Sequence, residues 1–153
     1  MDITSTLVVQ RAADQEVLPG VTEGQTLQRM VGNDLVATDR VRAALATYVP
    51  GTVEALHWHP IEALYFVHAG HALVRDIEGT ETTAGPGDLI YAPAGLAGAH
   101  EWEALDALVL LSIRATPESD RKLQFTVDKD TKRSWVDVDD LARRGGISFP
   151  SHY

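Results

Sequence analysis

The stretch Gly51-Thr52-Val53-Glu54-Ala55-Leu56-His57-Trp58-His59-Pro60-Ile61-Glu62-Ala63-Leu64-Tyr65-Phe66-Val67-His68-Ala69-Gly70 decides how this chain is read. Two strand-sized runs, 53 to 59 and 62 to 68, are rich in Val, Leu, Tyr and Phe and are bounded by Gly and Pro. Alternation along the first predicts Val53, Ala55, His57 and His59 on one face and Glu54, Leu56 and Trp58 on the other. Side chains two apart on one face stand roughly 6–7 Å apart, so both imidazoles can converge on one ion about 2.1 Å from each. That is half of a metal site.

Working outward, Gly51-x5-His57-x-His59 is followed by Gly70, then after a hairpin's length by Gly87-x5-Pro93-x-Gly95, and a further histidine arrives at His100. Strand-sized apolar or alternating segments also occupy 41 to 49, 71 to 77, 88 to 92 and 104 to 114, separated by turn signals at Pro50-Gly51, Ala69-Gly70 and Gly85-Pro86-Gly87. The expected architecture is all-β, a sandwich or barrel. One helix is expected over 134–145, where Ser134 caps a run with Asp137, Asp139 and Asp140 early, Arg143 and Arg144 late and Gly145 as the stop. Residues 1–40 read as an N-terminal arm, a hairpin or a short helix.

The chain has 153 residues, 44% of them hydrophobic, which suits one compact domain over 1–153 with a barrel core at 41–128. Twenty-two Asp and Glu against 13 Lys and Arg leave a net charge of −9, which argues against nucleic acid or an anionic membrane surface as partner. There is no cysteine, so disulfides, thiolate metal sites and Cys nucleophiles are excluded. The first residues show no basic start followed by an apolar run, and a cytoplasmic location is the expectation. No Ser sits in an elbow such as Gly-x-Ser-x-Gly, and no phosphate-binding glycine loop occurs.

With these residues in view, the sequence resembles the cupin superfamily, whose small jelly-roll-like barrels carry two short motifs in this order. Gly51, His57, His59 and Gly70 match the first motif, and Gly87, Pro93 and Gly95 the second. The resemblance implies that His57, His59 and a histidine of the second motif bind one divalent metal ion per subunit inside the barrel. Two departures stand out. The place of the usual carboxylate ligand, seven residues before the closing glycine, holds Ala63; Glu62 is adjacent but falls on the outer face by strand parity. The usual second-motif histidine place holds Gly98, so His100 is taken as the third ligand.

Three neutral imidazoles leave a full dipositive charge and open positions suited to a chelating anion. The chain thereby resembles the small three-histidine iron dioxygenases of that superfamily, the acetylacetone dioxygenases among them. The resemblance implies an Fe(II) dioxygenase cleaving a C–C bond of a small chelating diketone, hydroxyketone or related enolisable substrate with O2. The alternatives are a Zn, Ni or Mn isomerase, cyclase or lyase, and a non-catalytic ligand-binding or sensor cupin. Tyr65 is expected inward, as a hydrogen-bond donor to substrate or as a pocket wall. Trp58, His68 and Glu62 are expected outward, Glu101 and Glu103 away from the metal, and Arg75 in solvent. Exposed edges and outward Trp58, Leu64 and Phe66 predict a homodimer or homotetramer.

Overall fold

The computed structural model describes residues 2–32, 36, 38, 40–115 and 124–136. The described strands are β1 (Leu18–Pro19), β2 (Gln25–Val31), β3 (Arg42–Tyr48), β4 (Val53–Trp58), β5 (Ala63–Ala69), β6 (Ala72–Asp76), β7 (Glu81–Ala84), β8 (Leu89–Ala92), β9 (His100–Ala104), β10 (Leu108–Arg114), β11 (Phe125–Val127) and β12 (Ser134–Val136). They form two sheets of six, ordered β1-β2-β3-β10-β5-β8 and β12-β11-β4-β9-β6-β7, with every pairing antiparallel. This is a jelly-roll β-sandwich, the architecture that closely spaced short strands with alternating apolar positions require. No described helix is long and apolar enough to cross a membrane.

The core lies between the sheets. Ala46, Tyr48, Ala63, Tyr65, Val67, Leu108 and Leu110 come from the first sheet, and Ala72, Ala84, Trp102 and Ala104 from the second. Parity along β5 holds: Ala63, Tyr65 and Val67 are buried, whereas Glu62, Phe66 and His68 are exposed. At Gly70, φ is +78° and a Cβ would collide with the Ala107 carbonyl, so the β5–β6 turn requires glycine.

Two expectations need correction. Residues 104 to 114 are not one strand: β9 ends at Ala104 and β10 begins at Leu108, a tight connection that carries Asp106. His71 there donates its N–H to Asp106 Oδ1 at 2.6 Å and sets Nδ1 2.8 Å from Oδ2, which holds the Asp106 carboxyl below the usual carboxylate range. The region 1–40 supplies strands β1 and β2, a three-residue 3-10 turn at Ala12–Asp14 and an extended N-terminal segment.

Ser134 does not cap a helix: Ser134–Val136 is strand β12, paired with β11, and 137–145 lie outside the described residues. The reason is tertiary. Trp58 points out of the barrel, stacks on Phe125 at 4.1 Å and 8°, and donates Nε1–H to Ser134 Oγ at 2.9 Å. The cap residue is thereby held as a strand partner, and Trp58 is covered by a β-hairpin of its own chain rather than by a helix.

Candidate metal centre

His57 lies on β4, His59 follows that strand's end, and His100 opens β9, directly across from His57 in the antiparallel register. All three are buried, with exposures of 1%, 2% and 4%. One ligating nitrogen from each falls within 4.8 Å of the others, and the ring centroids are 4.4–5.8 Å apart. The residues expected to hold a metal are therefore brought together from two strands and the loop that follows β4.

Local backbone sets the direction of each ring. His57 Nδ1 is 2.6 Å from the Ala55 carbonyl and His100 Nδ1 is 2.9 Å from the Gly98 carbonyl. A carbonyl only accepts, so Nδ1 carries the proton in both rings and Nε2 presents its lone pair. The Gly95 N–H donates to the His59 carbonyl at 2.9 Å and ties the second glycine motif to the first motif's histidine. Gly98 is also closely fitted, since a Cβ there would collide with the Pro93 carbonyl. The lengthened route from Gly95 to His100 is thus a short 3-10 turn, Leu96–Gly98, that delivers the ring.

Burial, then the neighbouring His57, pushes His100 down to about 3, so the ring is neutral at physiological pH. Its Nε2 is buried with no hydrogen-bond partner among the described residues. An orphaned, deprotonated nitrogen facing two more imidazoles fits a divalent ion and little else.

Ala63 occupies the fourth-ligand place at 1% exposure, and Glu62 beside it is exposed, as strand parity predicts. Parity fails on β4. The pairing with β9 slips between Glu54 and His57, and this bulge turns Glu54 inward, so that Val53 and Ala55 are exposed while Glu54 is buried. Glu54 Oε1 is 3.5 Å from His57 Nε2, and Oε2 accepts from the Tyr48 hydroxyl at 2.6 Å. Gln25 Nε2 donates to the same hydroxyl at 2.9 Å. Burial first, and Glu54 second, raise Tyr48 well above its ordinary value and keep it a donor. Sequence reasoning missed Glu54 because residues three apart do not share a face of a regular strand.

Tyr65 faces inward at 2% exposure, its ring 5.4 Å from His100 and 4.8 Å from Trp102. Burial raises its hydroxyl pKa, so it too is a donor. Trp102 lies against His100 at 5.1 Å and 16° and is buried, not exposed to a partner. Glu101 points away from the histidines, buried beneath Arg75 Nη1 at 3.0 Å and Lys129 Nζ at 2.8 Å; Arg75 also meets Glu81 at 2.9 Å. Arg75 is thus held outside the barrel by carboxylates.

A cavity of about 70 Å³ is lined by Glu54, Tyr65 and Trp102 and extends along β3 and β10 to Arg42, Ser112 and Arg114; the three histidines are not among its lining residues.

Residues 44–114 match the family model described as Cupin domain. The fold is that of the cupins. Among solved structures, the cupin-type barrel is similar to the polyketide cyclase RemF from Streptomyces resistomycificus, with 16% identity, 72% of this chain and 80% of that one covered, and a TM-score of 0.64. It is similar also to KdgF from Halomonas sp., with 22% identity, coverage of 74% and 97%, and a TM-score of 0.61. An oxalate decarboxylase from Lactobacillus farciminis, in a formate complex, shares 26% identity over 82% of this chain and 37% of that one, with a TM-score of 0.63. Comparison with curated proteins gives no match. A three-histidine cluster in a cupin barrel points to one divalent metal ion.

Proposed function

We propose that this cupin is a mononuclear metal-dependent enzyme for a small enolisable carbonyl compound, with Fe(II) as the ion and O2 as second substrate in a C–C bond cleavage. The observation that carries this reading is the set of three buried, converging imidazoles with alanine, not a carboxylate, at position 63. Such a donor set leaves the ion's charge to be balanced by an anionic chelate, which an enolate provides. A divalent ion held there supplies Lewis acidity toward the substrate oxygens and, as Fe(II), the redox chemistry that O2 requires.

The chain's own residues have separate tasks. Tyr65, protonated and inward, donates a hydrogen bond to a substrate oxygen. Glu54 lines the cavity, and its Oε1 takes the proton from the carbon between two carbonyls; the C–H electron pair stays on the substrate as the enolate. Tyr48 and Gln25 hold the other carboxyl oxygen in place. Trp102, Ala44 and Ala46 line the space and keep it small and poor in water.

A second reading, a Zn, Ni or Mn isomerase, cyclase or lyase, is supported by Glu54, because proton removal beside a Lewis acid needs no O2, and by the shared barrel of the polyketide cyclase RemF. Metal analysis of the purified protein, then anaerobic Fe(II) loading and O2 uptake with acetylacetone, tests the first reading. Uptake that requires substrate is the expected result. No uptake by fully loaded protein, with substrate consumed by the Zn or Ni form, transfers the case to the second.

A further inference from the structure

We propose that residues 3–9 are an exchange arm: each copy of this chain lays its arm along strand β8 of a second copy, so that two chains are joined reciprocally. The inference goes beyond the metal-centre reading and does not depend on it.

The arm has the composition of a strand and no sheet to join. Asp2-Ile3-Thr4-Ser5-Thr6-Leu7-Val8-Val9-Gln10 holds five β-branched residues and a single charge, with no glycine or proline. Residues 2–11 nevertheless belong to no strand or bridge. Ile3, Leu7 and Val9 are 89%, 85% and 75% exposed. In an extended chain, alternation puts these three on one face. The base of the arm is anchored to β2, where Gln10 Nε2 donates to the Met30 carbonyl at 3.0 Å and Gln28 Nε2 donates to the Ala12 carbonyl at 2.8 Å. Outward from that base the arm stands off the barrel, across an open hollow of about 740 Å³ bounded on its far side by Met30, Val31 and Val36. An apolar run left in water in this way marks a contact surface.

Its complement lies at the far edge of the same sheet. Strand β8 pairs with β5 alone and ends the order β1-β2-β3-β10-β5-β8. Leu89-Ile90-Tyr91-Ala92 carries neither charge nor proline, the devices that stop an edge from recruiting another strand. The opposite edge is guarded, since β1 is two residues long and ends on Pro19, which has no N–H to donate. Leu89 and Tyr91 are 58% and 54% exposed, beside Phe66, the cross-strand partner of Leu89, at 37%. An arm paired with β8 brings Ile3, Leu7 and Val9 into cross-strand contact with Leu89 and Tyr91 and satisfies the backbone groups of the edge.

One chain cannot do this for itself. Four strand spacings, about 19 Å, separate β2, where the arm is rooted, from β8. Seven residues span roughly 25 Å at most, so an arm crossing its own sheet uses its length in reaching β8 and has little left to lie along it. A second copy related by a two-fold axis has no such limit, and the exchange closes as an isologous pair. Three partly exposed side chains, Phe66, Leu89 and Tyr91, fall short of the about 800 Å² per partner that a stable interface buries, and the paired arm adds a strand and three further apolar side chains to them.

The chain has no cysteine, so introduced thiols report the contact directly. Leu7→Cys/Tyr91→Cys is oxidised gently and denatured without reductant, with Ser5→Cys/Tyr91→Cys and Val9→Cys/Tyr91→Cys covering the neighbouring registers. At least one pair is expected to give a dimer-sized band whose disulfide, read by peptide mass spectrometry, joins the arm of one chain to position 91 of the other. In the full-length chain, Leu7→Asp/Val9→Asp is expected to weaken self-association in sedimentation by about a hundredfold or more, with circular dichroism and bound zinc unchanged. A monomer-sized product with an internal disulfide overturns the exchange, because the arm then reaches its own β8. The absence of an arm-to-91 disulfide from all three pairs overturns it as well. So does an Asp variant that associates as tightly as wild type, or a wild-type protein that is monomeric at tens of micromolar. None of these readouts uses activity, so failure of the exchange and failure of the oxygenase reading are told apart.

Discussion

His57, His59 and His100 present their nitrogens to one point because two backbone carbonyls, at Ala55 and Gly98, choose the tautomer of two of the rings. Replacing any one of the three by Ala is expected to weaken Zn(II) or Fe(II) binding by about tenfold or more with the barrel still folded, measured by equilibrium dialysis with metal analysis. Glu62→Ala, at an exposed position, is expected to leave affinity unchanged; an equal loss there would make Glu62 a ligand. His100 also sets a pH dependence. Its native pKa near 3 lies below the unfolded value of about 6.5, so the unfolded chain binds the extra proton between these limits. Stability of the metal-free protein is therefore full above about pH 6.5 and falls as pH drops toward 3, by at most about 1.4 kcal/mol per unit from this group. Urea midpoints at pH 7, 6 and 5 should decline, and His100→Asn should flatten the decline. A midpoint that rises on acidification would contradict the neutral His100.

At the scale of elements, the 3-10 turn Leu96–Gly98 and the bulge in β4 do what regular strands cannot. Gly98→Ala forces the added methyl against Pro93 and shifts the turn that holds His100 Nδ1, so it is expected to lower metal affinity severalfold while leaving Tyr65 and Trp102 packed. Metal titration monitored by Trp fluorescence measures it; an unchanged affinity would mean the turn yields without moving the ring. The β11–β12 hairpin depends on Trp58. Trp58→Ala removes both the Phe125 stack and the bond to Ser134, and a loss of about 2 kcal/mol in chemical denaturation is expected.

For the molecule as a whole, the outer face of the first sheet remains apolar. Phe66 and Leu89, opposite one another on β5 and β8, are 37% and 58% exposed, and Tyr91, opposite Leu64, is 54% exposed. β8 is the sheet's edge. We propose that this face meets its own copy in an isologous dimer, alone or within a tetramer, because among the described residues nothing covers the patch or pairs with the edge beside it. Sedimentation at micromolar concentration is expected to show the dimer or its multiple, and Phe66→Asp with Leu89→Asp the monomer. A wild-type monomer would sink the proposal.

Much of this was legible along the chain. Gly51, His57, His59, Gly70, Gly87 and Gly95 mark strand ends and ligand spacing locally, and period-two alternation placed Ala63, Tyr65 and Val67 inward because an uninterrupted strand has no other choice. Tertiary structure decided the rest. A bulge is a mismatch between two strands, so no reading of 53 to 59 alone could turn Glu54 toward His57. The helical signal at 134–145 was sound as propensity, yet Ser134 was taken by Trp58, a residue 76 positions away. Arg42 and Arg114 stand far apart in sequence and carry no motif; only the pairing of β3 with β10 sets them opposite one another at one cavity.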